Sequence, residues 1–254
     1  MIIESSTLKG SIKAPDSKSH GHRVFILSAL ANTFTTIKYN SPLPEDLLVT
    51  LMALKAMGAD VFLGSHEIVI TPIRNKVPSM TVNFVESGSS LRMLLPVIAA
   101  LGIELEATGE GKLPDRPLSD LIEVMEAHGV SFSSHKLPFK MSGKLTGGKW
   151  EIPGHVSSQY ISGLLLAQAL VEEPTEIVLT SELKSPGYVE MTKEVMWDFG
   201  LSIEDERVSG EITSPGSIEL EGDWSGASFY LTAGAITGPI TVEGLDINSS
   251  QPDR

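Results

Sequence analysis

A short polar run near the N-terminus, Ser17-Lys18-Ser19, is followed by Arg23 and by an apolar stretch from Val24 to Leu30. This order is typical of a helix start, because a serine can cap the free N–H groups of the first turn. The same N–H groups and the positive end of the helix macrodipole favour a bound anion. Lys18, Ser19 and Arg23 share a helix face at this spacing. The run therefore predicts either an ordinary capped helix or one wall of an anion-binding site.

Similar helix starts recur along the chain. Ser87-Gly88-Ser89-Ser90 and Ser157-Ser158-Gln159 each precede an apolar helical stretch, and further starts are predicted at Arg116-Pro117-Leu118 and Ser185-Pro186-Gly187. Gly88 would let a backbone approach a ligand closely. Three of the six arginines, at 23, 92 and 116, lie near these starts. Because arginine binds carboxylate or phosphate through two parallel contacts, starts that share one rim would form a cleft for a small phosphorylated, carboxylated ligand.

The overall composition argues against several other classes of partner and site. The formal net charge is -13, which argues against nucleic acid and anionic membranes as partners, because both select basic surfaces. There is no cysteine, so disulfides and thiolate metal sites are excluded. The six histidines show no metal-ligand spacing, and nucleotide-binding glycine motifs are absent. The first residues do not read as a signal peptide, so we expect a cytoplasmic protein.

Two smaller features have local interpretations. His20 and His22 are predicted to lie in the loop around Ser17-Lys18-Ser19, without nearby carboxylates before Glu45. The pair Glu45-Asp46 follows Pro44 at a predicted helix start, where acidic residues compensate the helix dipole.

A repeat of about seventy residues organises these starts. Gly58, Gly129 and Gly200 each follow a helical stretch and precede a short alternating strand, as expected of the residue that ends a helix. The spacing predicts three strand–helix–strand–helix–strand–strand units, although chance spacing of common helix endings is the alternative. A fourth unit begins at Asp223 and stops part-way at Arg254. We therefore expect a longer parent protein with this chain as its N-terminal portion.

The motifs also match a known family in their order. The matching segments are Ala14-Pro15-Asp16-Ser17-Lys18-Ser19 through Arg23, Glu86-Ser87-Gly88-Ser89-Ser90-Leu91-Arg92, Asp115-Arg116-Pro117, Gly154-His155-Val156-Ser157-Ser158-Gln159, Lys184-Ser185-Pro186-Gly187-Tyr188, Glu221-Gly222-Asp223-Trp224-Ser225 and the final Ser250-Gln251-Pro252-Asp253. Along essentially its whole length the chain resembles the 5-enolpyruvylshikimate-3-phosphate (EPSP) synthases, or 3-phosphoshikimate 1-carboxyvinyltransferases. The resemblance implies an α/β (α+β) fold, an inside-out barrel of repeated βαβαββ units with helices inside and sheets outside. It implies an N-terminal domain over residues 14–217, with 1–13 and 218–254 belonging to a second, incomplete domain.

The resemblance further implies transfer of the enolpyruvyl group of phosphoenolpyruvate to the 5-hydroxyl of shikimate 3-phosphate, with release of phosphate. Lys18 would contact phosphoenolpyruvate and act in proton transfer or charge stabilisation. Ser19 and Arg23 would contact the shikimate carboxylate, and Gly88 and Arg116 would contact phosphoenolpyruvate. The shikimate phosphate would be bound by Ser157, Ser158 and Ser185. Gln159 would lie against the ring, with Tyr188 nearby. The resemblance implies no metal or organic cofactor, and the full-length protein is expected to be a monomer.

Departures and rival interpretations stay open. Glu86 stands where many family members carry asparagine, and a carboxylate beside an anion site is unfavourable unless it is protonated or paired. Gln251-Pro252-Asp253 has proline where the family has glycine. The family's C-terminal half supplies a catalytic aspartate, a Lys-Glu pair and several arginines, so this chain alone is expected to be inactive. The rivals are a UDP-N-acetylglucosamine enolpyruvyl transferase, a non-catalytic half domain that binds shikimate 3-phosphate, and a purely structural repeat domain.

Overall fold

The computed structural model describes residues 8–204 and 207–254. Three βαβαββ units follow one another along the chain, as the glycine spacing predicts. The first comprises β1 (Gly10–Lys13), α1 (Lys18–Leu30), β2 (Thr35–Lys38), α2 (Glu45–Met57), β3 (Asp60–Leu63) and β4 (Glu67–Thr71). The second comprises β5 (Ser79–Asn83), α3 (Gly88–Ala100), β6 (Glu104–Thr108), α4 (Ser119–Ala127), β7 (Val130–Phe132) and β8 (Phe139–Gly143). The third comprises β9 (Gly148–Ile152), α5 (Ser158–Gln168), β10 (Thr175–Leu179), α6 (Pro186–Asp198), β11 (Leu201–Glu204) and β12 (Arg207–Gly210). A fourth unit begins with β13 (Ser217–Glu219), α7 (Trp224–Thr237) and β14 (Ile240–Glu243).

The sheets repeat one pairing pattern. In the second unit β5 runs parallel to β6, β6 is antiparallel to β8, and β8 is antiparallel to β7. The third unit repeats the parallel pair in β9 and β10 and the antiparallel pair in β11 and β12. The equal spacing of the helix-ending glycines therefore reflects a true structural repeat.

The first sheet takes its opening strand from far along the chain. β13 pairs in parallel with β2, which is antiparallel to β4, and β4 is antiparallel to β3. β1 instead pairs in parallel with β14. The chain thus crosses between the first and fourth units twice, near Asp16 and near Gly222, which form an isolated bridge. β13 spans the boundary predicted at 217/218, and the division into domains stays a prediction.

The helices form the inner layer and the sheets the outer one. Every residue of α1 from 20 to 29 is buried, and α3 and α5 are buried nearly all round. Such helices belong in an interior, whereas β4, β5 and β6 alternate exposed and buried residues as one-sided sheets do. α3 and α5 approach closely, since a Cβ on Gly163 would lie 2.6 Å from the Arg92 carbonyl oxygen. This layering brings several helix starts together.

The predicted helix endings and starts are present. Gly58, Gly129 and Gly200 have φ of 108°, 91° and 82°, the left-handed conformation that follows a helix. Two expectations are wrong in detail. His20 and His22 lie inside α1, because the helix begins at Lys18 directly after its cap. The helix predicted at Arg116-Pro117-Leu118 begins at Ser119, after a short 3₁₀ turn at Leu113–Asp115.

Among the helices within residues 8–204 and 207–254, none has the length and apolar character required to cross a membrane.

Candidate functional site

The N-terminal ends of α1, α3, α5, α6 and α7 border one open cavity of about 550 Å³. Its lining consists of Lys18, Ser19, Arg23, Ser89, Arg92, Met93, Val156, Ser157, Ser158, Gln159, Lys184, Ser185, Tyr188, Asp223 and Ser225. Four of these residues are cationic and one is a carboxylate. In a chain of formal net charge -13, this concentrates positive charge in one place.

Lys18 is held at the cavity by a carboxylate of the second helix. Its Nζ donates to Asp46 Oδ2 at 2.7 Å. Burial alone would raise the pKa of Asp46, but hydrogen bonds from Lys18 and Ser87 and the charge of Lys18 together lower it. Asp46 therefore does more than compensate the dipole of α2, since it joins the starts of three helices and fixes the Lys18 ammonium.

Behind this pair a chain of hydroxyl groups reaches a buried histidine. The Ser87 and Ser90 hydroxyl oxygens lie 2.6 Å apart, Thr50 Oγ1 is 2.8 Å from Ser90 Oγ, and His22 Nδ1 is 2.8 Å from Thr50 Oγ1. Burial lowers the pKa of His22 to about 3, so the imidazole is neutral at pH 7. Its Nε2 is buried without a hydrogen-bond partner within the described ranges. These contacts fix the relative positions of α1, α2 and α3 beneath the cavity.

Arg23 lines the cavity, although it is only 1% exposed. Its Nε donates to Thr192 Oγ1 at 2.7 Å, Nη1 to the Ser19 carbonyl at 2.5 Å, and Nη2 to Ser162 Oγ and the Tyr188 carbonyl at 3.1 and 2.7 Å. These bonds use four of the five N–H groups of a guanidinium. Burial lowers its pKa to about 9, so Arg23 is charged at pH 7. One N–H of Nη1 is left to meet a ligand.

Arg92 and Gln159 form a second polar group on the cavity wall. Arg92 Nη1 donates to Gln159 Oε1 at 3.0 Å, and Gln159 Nε2 donates to Ser89 Oγ at 2.8 Å. The Arg92 guanidinium carbon lies 5.4 Å from the centre of the Tyr160 ring, a cation–π distance. Burial lowers the pKa of Arg92. The orientation of Gln159 is thereby fixed, with its oxygen toward a cation and its amide nitrogen toward a hydroxyl.

The starts of α5 and α6 meet at another end of the cavity. Ser157 caps α5 by accepting from the Gln159 N–H at 3.3 Å, and Ser158 opens that helix. Ser185 stands before α6 with φ 57° and ψ 57°, and its side chain makes no capping bond. A left-handed serine without a capping bond is strained, and such residues cluster at ligand sites. Lys184 precedes it and lines the same cavity.

A smaller cluster closes the side formed by α7. Ser225 Oγ donates to Asp253 Oδ2, and the Tyr188 hydroxyl lies 3.4 Å from the same oxygen. Burial and the charge of Asp253 raise the pKa of Tyr188. Asp223 caps α7 by accepting from the Gly226 N–H at 3.1 Å. Proline at 252 thus still leaves the following aspartate at the edge of the cavity.

Gly88 and Arg116 lie beside the cavity and do not line it. A Cβ on Gly88 would be 2.8 Å from Arg116 Nη1, so the glycine makes room for this guanidinium. Arg116 and Arg92 share a separate small cleft. Glu86 accepts from the Lys112 N–H at 3.0 Å. This hydrogen bond ties the carboxylate to the loop before Arg116 but leaves its negative charge in place, so the expected conflict with an anion site stays a prediction.

Eight of the ten residues singled out from the sequence line the cavity: Lys18, Ser19, Arg23, Ser157, Ser158, Gln159, Ser185 and Tyr188. Their roles stay predictions. Arg92, placed near the helix starts by the sequence but given no role there, also lines the cavity, whereas Lys184 and Asp223 were missed although each lies inside a matching motif. Asp46 was missed because its partner Lys18 is 28 residues away, a contact that no local pattern shows.

A second cavity of about 450 Å³ lies beside β9, β10 and β12. Its lining includes Glu172, Glu173 and Glu176 with two cations, Lys149 and Arg207. The excess of carboxylates makes it unsuited to an anionic ligand. Across the two described ranges, no three histidine, aspartate or glutamate side chains cluster closely enough to hold a metal ion.

Comparison with known proteins gives a consistent result. The family model "EPSP synthase (3-phosphoshikimate 1-carboxyvinyltransferase)" matches residues 2–254. Solved structures of EPSP synthase from Acinetobacter baumannii superpose with a TM-score of 0.76 at 23% identity, covering 95% of this chain and 57% of theirs. At this identity the superposition supports the fold, the inside-out arrangement of βαβαββ units.

Curated relatives named 3-phosphoshikimate 1-carboxyvinyltransferase match over the whole chain. The protein of Methanocorpusculum labreanum is 39% identical over 265 residues, and that of a Clostridium perfringens strain is 33% identical over 264 residues. In both comparisons the match covers 100% of this chain and 62% of the relative. The chain therefore spans less than two thirds of the length of these relatives. Because the family model matches nearly every residue, the chain belongs to the EPSP synthase family.

Proposed function

We propose that this chain provides the shikimate 3-phosphate-binding portion of a 3-phosphoshikimate 1-carboxyvinyltransferase. The whole protein would transfer the enolpyruvyl group of phosphoenolpyruvate to the 5-hydroxyl of shikimate 3-phosphate and release phosphate. Its partners would be these two small molecules, and its location the cytoplasm.

The observation that carries the proposal is the cavity bordered by five helix starts. It offers free N–H groups, serine hydroxyls and four cations to a ligand that bears a carboxylate and a phosphate. Its volume of about 550 Å³ lies within the range of ordinary small-molecule sites. A purely structural repeat would not need a strained serine and a buried arginine with one unused N–H group at the same opening.

The proposed chemistry assigns different parts of the cavity to different groups. Ser157, Ser158 and Ser185 would hold the phosphate, while Ser19 and the remaining N–H of Arg23 would hold the carboxylate. Lys18, fixed by Asp46, would offset the negative charge of phosphoenolpyruvate while its C3 is protonated and the 5-hydroxyl, which gives up its proton, adds at C2. Loss of phosphate and of one proton from C3 of that tetrahedral adduct would restore the double bond and complete the transfer. Gly88 and Arg116 would lie on the phosphoenolpyruvate side.

The test is an amide NMR titration of the 254-residue chain with shikimate 3-phosphate. We expect saturable shifts, with residues around α1, α5 and α6 affected most. Ser158→Ala should weaken binding about tenfold, because it removes one hydrogen bond to a charged group. The matched control is Ser142→Ala, an exposed serine on β8 outside the cavity.

Three contrary results would each be informative. Saturable binding of UDP-N-acetylglucosamine in preference to shikimate 3-phosphate would assign the chain to the rival enolpyruvyl transferases. A folded chain that binds neither ligand would favour a structural repeat domain. In a phosphate-release assay with both substrates, we expect no turnover by this chain, and turnover would contradict the proposal that it acts only as a binding portion.

A further inference from the structure

The ammonium of Lys184 differs from every other cation that lines the cavity. Lys18 is paired with Asp46, Arg23 uses four donors within the protein, and Arg92 is bonded to Gln159 and to the Pro117 carbonyl. Within residues 8–204 and 207–254, no hydrogen bond or ion pair joins the Lys184 side chain to another group. Its ammonium therefore has no direct partner among the described residues, although the Asp223 carboxylate lines the same cavity.

The backbone that carries this side chain is nevertheless firmly placed. The Lys184 N–H donates to the Gly154 carbonyl at 3.0 Å, which ties the start of α6 to the loop before α5. The two loops touch, because a Cβ on Gly154 would lie 2.7 Å from the Ser181 carbonyl oxygen and 3.0 Å from Leu183 Cα. Ser185, the next residue, is held in its left-handed conformation. The backbone of Lys184 is thus fixed while its ammonium has no protein partner, an arrangement suited to binding an anionic ligand.

The position of Lys184 indicates which anion. It adjoins Ser185 in the chain and is bonded to the loop that leads into Ser157 and Ser158, whereas Lys18 and Asp46 belong to the starts of α1 and α2. A phosphate monoester carries close to two negative charges at neutral pH and needs more compensation than a carboxylate. Helix N-termini supply only partial positive charges, so the Lys184 ammonium would add a full positive charge beside the starts of α5 and α6.

We propose that Lys184 is a specificity-determining residue, which lets the cavity distinguish a dianionic phosphate ester from the same ligand without phosphate. This inference rests on the proposed function and deepens it. The ammonium would form a charge-assisted contact with the phosphate oxygens of shikimate 3-phosphate and leave the recognition of the ring and carboxylate to other residues.

The experiment compares Lys184→Met, which keeps the length of the side chain, with Lys184→Arg, which keeps the charge. Lys38→Met on β2 is the matched control, because it removes the same charge from an exposed site outside the cavity. Each chain is titrated by NMR with shikimate 3-phosphate, shikimate and phosphoenolpyruvate. We expect Lys184→Met to weaken shikimate 3-phosphate binding roughly 10- to 100-fold, as loss of a hydrogen bond to a charged group does. Shikimate binding should be unchanged, and Lys184→Arg should retain most of the phosphate-ester affinity.

The other outcomes overturn the inference. Equal affinities in Lys184→Met and Lys38→Met would show that the ammonium does not meet the phosphate. An equal loss for shikimate and its phosphate would assign Lys184 to the ring or carboxylate, and a selective loss for phosphoenolpyruvate would assign it to the other substrate. If the unsubstituted chain does not bind shikimate 3-phosphate, that result contradicts the proposed function and therefore also this inference.

Discussion

The cations of the cavity differ in how much of their hydrogen-bonding capacity the protein already uses. Arg23 is buried and bonded to two other helices, α5 and α6, so it also holds α1 against them. Lys18 is half exposed and has a single carboxylate partner. Lys184 has no such partner in the described chain. A substitution at Arg23 would therefore disturb the fold together with the site, whereas Lys18 and Lys184 can be changed with the fold intact.

The contribution of Asp46 can be separated from that of its neighbour Glu45. Both open α2 and favour its dipole, but Asp46 also accepts from Lys18 and Ser87, whereas Glu45 has no partner in the described residues. We predict that Glu45→Gln lowers the free energy of unfolding by about 0.5 kcal/mol at pH 7. Asp46→Asn should lower it by about 1–2 kcal/mol, because it also weakens two hydrogen bonds. Urea denaturation measures both values, and equal losses would show that the Lys18 pair contributes nothing to stability.

At the scale of helices and strands, local sequence signals predict where helices begin and end, but the sequence does not show which distant segments contact one another. Serine caps at Ser17, Ser87 and Ser157 and the three helix-ending glycines predict where helices begin and end, because capping depends on neighbours within a few residues. The burial of His20 and His22 could not be predicted this way. It depends on packing of α1 against segments that lie far away in the chain.

The repeat glycines offer a test in which backbone strain and steric contact can be distinguished. Gly200 and Gly216 have similar φ, 82° and 78°, but a Cβ on Gly200 would lie 2.3 Å from Thr213 Oγ1, whereas one on Gly216 would meet nothing within 4 Å. Gly216→Ala should cost about 1 kcal/mol, from the left-handed conformation alone. Gly200→Ala should cost about 2–4 kcal/mol, since it also displaces a threonine that is bonded to Phe199. Matching losses in urea denaturation would contradict a steric role for the helix-ending position.

At the scale of the whole molecule, the repeat was predictable and the exchange of strands was not. The glycine period gives the number and order of units, but nothing local indicates that β13 enters the first sheet while β1 joins β14. The helices also differ in how much of their surface is buried. α1, α3 and α5 are buried nearly all round, whereas Ala227 is the only buried residue of α7, and Phe229 and Ile236 are 78% and 77% exposed. Some of the lining residues thus stand on the well-packed helices, whereas Lys184, Ser185 and Tyr188 belong to the start of the less buried α6, and Asp223 and Ser225 to that of α7.

Burying two histidines in α1 makes the stability of the whole molecule depend on pH. Burial lowers the pKa of His20 to about 4 and that of His22 to about 3, from an ordinary value of 6.5. Above pH 6.5 the two histidines are largely neutral in both the folded and the unfolded chain, so they do not make the free energy of unfolding depend on pH. As the pH falls below 6.5, the unfolded chain binds protons that the folded chain excludes. Each histidine therefore lowers the free energy of unfolding by about 1.4 kcal/mol per pH unit until its folded pKa is reached.

We predict that urea denaturation between pH 6.5 and 4.5 shows an average loss of stability of roughly 2 kcal/mol per pH unit from the two histidines together. His22→Asn keeps a polar group near Thr50 but cannot titrate, so it should remove about half of this slope, whatever its effect on stability at pH 7. His66→Asn is the matched control, because this imidazole is exposed and meets water in both states. A slope that is the same in all three chains would mean that His22 takes up its proton without unfolding, and the buried hydroxyl chain beneath Lys18 would then have to open in the folded protein.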